Sequence, residues 1–123
     1  MSKVVLIADD QPTNVKLLHV VLRKHGYTTL EAIDGKQAVE LAKVKKPDII
    51  LMDKNMPIMD GLEATRALKK DESTKNIPII CLTSSAMKGD REKILQAGAD
   101  DYMSKPVDIY KVIEIVAQYV QRQ

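Results

Sequence analysis

Short runs of consecutive apolar residues alternate along this chain with longer stretches in which apolar positions recur every three or four residues. Val4 to Ala8 is continuously apolar, and so is Ile49-Ile50-Leu51-Met52, which ends at Asp53. Such runs predict strands buried on both faces, because a half-exposed strand alternates apolar and polar positions. Pro78 to Leu82 predicts another of the same kind, while Thr28 to Ala32 and Asp101 to Ser104 predict weaker strands. Between them helical spacing takes over. Val15, Leu18 and Leu22 share one face of a helix predicted over about Thr13 to His25, with Gly26 as its stop. Asp34-Gly35 turns the chain into a second helix ending near Lys45, after which Pro47 forces an exit. Gly61 to Lys70 is predicted helical with Leu62, Thr65 and Leu68 inward, and about Gly89 to Ala97 forms a helix closed by Gly98. Ile109, Val112, Ile113, Val116 and Val120 mark the last helix.

Five strands alternating with five helices predict a doubly wound α/β domain, a parallel sheet covered on both faces by its crossover helices. No linker, repeat or low-complexity tract interrupts the 123 residues, so residues 1–123 are expected to form one domain with no output domain after it. The formal net charge of +2 is too small to argue for a nucleic-acid partner, and no aromatic residue stands among the lysines to stack on bases. The densest basic run, Lys43, Lys45 and Lys46, falls where a helix ends and reads as a solvated last turn. The single cysteine, Cys81, excludes an intrachain disulfide and a cysteine metal cluster, and its apolar neighbours predict a buried strand thiol. No apolar stretch reaches bilayer length, and Met1-Ser2-Lys3 leads directly into a run too short for a signal-peptide core, so a cytoplasmic protein without membrane insertion is expected.

In an open parallel sheet the binding crevice lies beyond the carboxyl ends of the strands. Reading those ends in order gives Asp9 and Asp10 after the first strand, Asp53 after the third, Thr83 after the fourth and Lys105 after the fifth. The second ends in Ala32-Ile33 and suits a peripheral strand. Any one of these residues alone would be a helix cap, a turn former or a surface lysine; together they form a phosphate-handling set. Three neighbouring carboxylates call for a proton or a cation, and all-oxygen ligands suit Mg²⁺. His19 and His25 lie on the first helix, which argues against zinc. In this reading Asp53 attacks phosphorus and becomes an acyl phosphate. Asp10 and Asp53 ligate Mg²⁺, with Asp9 reaching it directly or through water. Lys105 pairs with Asp53 at rest and with a phosphoryl oxygen afterwards, and Thr83 donates to another phosphoryl oxygen.

Ala8-Asp9-Asp10, the stretch from Leu51 through Met56-Pro57 to Asp60-Gly61, Leu82-Thr83-Ser84-Ser85-Ala86 and Tyr102-Met103-Ser104-Lys105-Pro106 together resemble the receiver domain of two-component response regulators, over essentially the whole chain. The resemblance implies a flavodoxin-like sheet of order 2-1-3-4-5. It also implies that Asp53 takes its phosphoryl group from a sensor histidine kinase or histidine phosphotransfer protein. The backbone carbonyl of Asn55 would join Asp10 and Asp53 on Mg²⁺, and Thr83 and Tyr102 would form a switch pair. The fourth helix, fifth strand and fifth helix would present the output face to an unidentified downstream protein, and Lys105-Pro106 resembles a bond that is often cis. Asn55 and Ser85 occupy positions that tune phosphate lifetime in the family, and Ser84 fits the small residue usual after the switch threonine. Val107 stands where the family often has phenylalanine. Such a domain is a signalling switch rather than a turnover enzyme. The alternative from another class, a haloacid-dehalogenase-like phosphatase, also uses Asp, Thr, Lys and Mg²⁺, but it carries a second acid two residues after its nucleophile, where this chain has Asn55, and the chain has no room for a substrate-selecting cap. A receiver-like scaffold that no longer takes phosphate is a third reading, against which the complete acid pocket argues.

Overall fold

The computed structural model describes residues 2–84 and 87–121. The elements run β1 (Val4–Ala8), α1 (Pro12–Lys24), β2 (Thr28–Ala32), α2 (Gly35–Lys45), β3 (Ile49–Asp53), α3 (Gly61–Lys70), β4 (Ile79–Thr83), α4 (Lys88–Gln96), β5 (Asp101–Ser104) and α5 (Ile109–Gln121). The five strands are parallel and ordered β2-β1-β3-β4-β5, as the resemblance implied. Residues of β1, β3 and β4 are almost wholly buried because helices cover both sides, which is why their sequences do not alternate.

Alternation still sorts the strand side chains between two cores. Val5, Ile7, Ile49, Leu51, Ile80 and Leu82 pack under α1 and α5. Leu6, Ala8, Ile50, Met52 and Ile79 pack under α2 and α3 on the opposite face. A smaller cluster of Cys81, Ile94 and Ala99, flanked by Leu62 and Tyr102, seats α4. Among the described residues no helix is long and apolar enough to cross a membrane.

The ends of several elements differ from expectation by one residue, each for a local reason. Helix α1 begins at Pro12, whose missing N–H costs nothing in the first turn. It closes before His25 because Gly26 takes φ +88° and Tyr27 N–H reaches back to the Leu22 carbonyl at 3.1 Å. Strand β4 starts at Ile79 rather than Pro78, since proline has no N–H to give the ladder, although its carbonyl accepts from Ile50 N–H at 2.9 Å. The basic run at the end of α2 is exposed but not merely solvated. Lys43 pairs with Asp71 at 3.4 Å, and Lys46, at φ 49°, donates to the Ser73 carbonyl at 3.2 Å. These contacts tie the end of α2 to the segment after α3.

Candidate functional site

The chain crosses from β1 to the sheet's edge at β2 and returns on the other side at β3, so the carboxyl ends of β1 and β3 flank the point where strand order reverses. Asp9 and Asp10 follow β1, and Asp53 is the last residue of β3. Oxygens of these three carboxylates lie within 4.8 Å of one another. Asp9 and Asp53 are buried, while Asp10 is exposed.

Each carboxylate is held differently. Asp9 Oδ1 accepts the Gln11 N–H at 2.9 Å. Its Oδ2 is buried without a hydrogen-bond partner among the described residues, and stands 3.7 Å from Lys105 Nζ. Asp53 Oδ1 accepts from Lys105 Nζ at 3.1 Å and from Asn55 N–H at 3.3 Å. Lys105 is brought there by β5, where its own N–H donates to the Thr83 carbonyl at 2.7 Å, and the Lys105–Pro106 bond is cis. The resting pair expected between Lys105 and Asp53 is therefore present. Burial, and next the negative charge of Asp9, push the Asp53 carboxyl above its ordinary value, against the opposing pull of Lys105 and the Asn55 N–H. The pocket is short of positive charge. An unpartnered buried carboxylate oxygen inside an all-oxygen donor set is what a hard divalent cation satisfies, so the residues fit Mg²⁺.

Thr83 ends β4 and is buried, with its backbone in register with Ser104. Tyr102 is half-buried on β5 beside Cys81, and its hydroxyl accepts from Arg91 of α4 at 3.4 Å. Burial pushes the Cys81 thiol up to about 12, in keeping with the inert strand cysteine expected. Ser84 is exposed; Ser85 and Ala86 lie outside the described residues. Clefts open on either side of the acid cluster. One, of about 410 Å³, lies between the start of α1 and Lys105-Pro106-Val107; the other, of about 340 Å³, runs toward Glu31 and Ile33.

The loop after β3 is positioned by features that periodicity does not reveal. Gly61 N–H donates to the Lys54 carbonyl at 2.8 Å, and a Cβ there would stand 2.0 Å from the Asp53 carbonyl oxygen. Gly35 N–H donates to the Met59 carbonyl at 3.0 Å, and a Cβ on it would stand 2.0 Å from that same oxygen. Both glycines are required by close backbone approach rather than by a left-handed φ. The loop's tip is a tight turn in which Met59 N–H donates to the Pro57 carbonyl at 2.7 Å around Ile58 at φ 71°. Lys54, which no strand-end pattern marks, places its ammonium 3.3 Å from Asp90 of α4.

Residues 5–117 match the family model of the response regulator receiver domain. The polar-differentiation response regulator DivK of Brucella ovis is 42% identical over 120 residues, covering 98% of each chain. The receiver domain of a sensor histidine kinase from Pseudomonas aeruginosa PAO1 superimposes with a TM-score of 0.91 at 37% identity, over 98% of this chain and 99% of that one. That structure has a magnesium ion coordinated in its active site cleft. Chemotaxis response regulator CheY4 of Vibrio cholerae gives a TM-score of 0.91 at 26% identity, over 97% and 99% of the two chains. With its sheet order, its strand-end acid cluster and these matches, the chain belongs to the response regulator receiver domains of two-component signalling.

Proposed function

We propose that Asp53 accepts a phosphoryl group from a phosphohistidine on a sensor kinase or phosphotransfer protein, and that Mg²⁺ held by Asp10, Asp53 and the Asn55 carbonyl, with Asp9 direct or through water, makes the transfer possible. The observation that carries this reading is the surplus of carboxylate at the end of β3: three acids converge, one buried oxygen lacks a hydrogen-bond partner, and Lys105 is the cation within reach of both Asp9 and Asp53. Bound there, the metal supplies the charge neutralisation that an anionic nucleophile needs to approach an anionic phosphoryl group.

The chain's own residues do the rest. Asp53 Oδ1 is engaged by Lys105 and Asn55. As an Asp53 oxygen bonds to phosphorus the P–N bond to the donor's imidazole breaks, the imidazole leaves and takes up a proton, and Lys105 is free to follow a phosphoryl oxygen as a mobile point charge. Thr83, at the neighbouring strand end, donates its hydroxyl to a second oxygen, and Tyr102 follows as the other member of the switch. The product acts as a signal: about −1.5 to −2 added charges with strong acceptors bias α4, β5 and α5 toward a form read by a downstream protein. The domain works as a switch modified once per signal, not as a turnover enzyme. Incubation with Mg²⁺ and a small-molecule phosphodonor tests it by intact mass. The wild type is expected to gain one phosphoryl group and Asp53→Ala none, whereas steady release of phosphate from esters would overturn the reading in favour of a phosphatase.

A further inference from the structure

Helix α4 is weakly anchored by apolar contact. Among the described residues 89–96 only Ile94 is buried, and Met87, its N-cap, offers no side-chain cap. Glycine in its first turn weakens it further. A helix so placed takes its position largely from polar tethers. Arg91 reaches the Tyr102 hydroxyl at 3.4 Å. A second tether among the described residues joins Asp90, in the first turn of α4, to Lys54, the residue directly after Asp53.

Alternation along β3 explains how one backbone serves both sites. Asp53 follows Ile49 and Leu51 in pointing to the α1–α5 face, whereas Lys54 follows Ile50 and Met52 to the opposite face. Lys54 N–H still bonds to the Leu82 carbonyl at 2.9 Å, so its main chain is an extension of the sheet. Its Nζ meets Asp90 Oδ1 at 3.3 Å, and the two side chains are only 18% and 25% exposed. Shielded to that degree, the pair is less screened than a surface ion pair. It also spans 36 positions of sequence, fastening the first turn of α4 to the end of β3.

We infer that the Lys54–Asp90 ion pair is a latch holding the first turn of α4 in its resting position, and so sets how readily this domain switches when Asp53 is modified. The inference rests on the proposed role of Asp53 for its second half alone. A shift of α4 must stretch or break the pair, so the latch favours the resting form and lowers apparent affinity for anything that requires the shifted one.

The test uses Lys54→Met, which keeps the packing stem, Asp90→Asn, and the double variant. Hydrogen exchange of the α4 amides is measured first, without metal or phosphodonor. Each single variant is expected to speed exchange across residues 89–96 relative to β1 and β3, with no further gain in the double. Beryllofluoride with Mg²⁺, a phosphoryl mimic, is then titrated. Each single variant is expected to bind it roughly three- to tenfold more tightly, again with no further gain in the double, as release of one shared restraint requires. The charge-swapped variant Lys54→Glu with Asp90→Lys is expected to restore slow exchange, which guards against general loosening. Unchanged α4 exchange, or single-variant effects that simply add, would overturn the latch. If the wild type fails to bind beryllofluoride, the role of Asp53 falls, while the exchange result still decides whether the latch exists.

Discussion

Burial and the neighbouring charge of Asp9 both disfavour the ionised form of Asp53. Its carboxyl is raised by burial and by Asp9, so the folded protein binds a proton there more readily than the unfolded chain. Stability from this group is therefore fullest below the ordinary value of 3.8 and is lost as pH rises through the folded value. Asp53→Asn removes the penalty. The metal-free variant is expected to be more resistant to urea than the wild type at pH 7.5, with the gap narrowing toward pH 4; a wild type more stable at neutral pH would contradict this assignment. Asp10 makes a useful contrast because it is exposed. Asp10→Asn should leave metal-free stability within about 0.5 kcal/mol while sharply reducing the stabilisation that Mg²⁺ gives, as read from unfolding midpoints across a Mg²⁺ titration. Cys81 tests the same physics of burial. With its thiol pushed up to about 12, it should react with a thiol reagent at pH 7.5 only as fast as the domain opens, and promptly in denaturant.

At the scale of elements, the loop from Lys54 to Asp60 holds a non-glycine residue at positive φ. Ile58 is a β-branched residue in the left-handed region and 78% exposed, so its conformation is imposed by the turn and not by packing of its own side chain. Gly35→Ala is expected to destabilise by about 1–3 kcal/mol, because the loop must retreat from the added methyl. The sequence carried the strands and helices well, for a physical reason. Each apolar run is bounded by a residue that cannot continue it, as Pro47 precedes β3 and Gly26 follows α1. The acid cluster and its lysine were legible because parallel topology sends every strand end to one edge, so Asp9, Asp10, Asp53 and Lys105 could be gathered without coordinates. What could not be read were contacts between distant positions. Gly35 against Met59 and Lys54 with Asp90 depend on how loops and helices meet, and no periodicity records that.

For the whole molecule, the sheet is the frame, packed on both faces, and the β3–α3 loop, Lys105 and α4 border the acid cluster or the residue next to it. Two cores fix β1 and β3 from both faces, so the acids at their ends sit close together despite mutual repulsion. A cation that binds only the folded state adds stability by mass action, about 2.7 kcal/mol at a hundredfold excess over its Kd. The central claim is that the phosphoryl group goes to Asp53 and not to the adjacent Asp9 or Asp10. Borohydride reduces an acyl phosphate to an alcohol and leaves free carboxylates untouched. Treating the phosphodonor-exposed, Mg²⁺-loaded protein with borohydride and mapping peptides by mass therefore reads the acceptor directly. The account predicts reduction at position 53 alone; reduction at position 9 or 10 instead, or at no aspartate while phosphate is retained elsewhere, would contradict it.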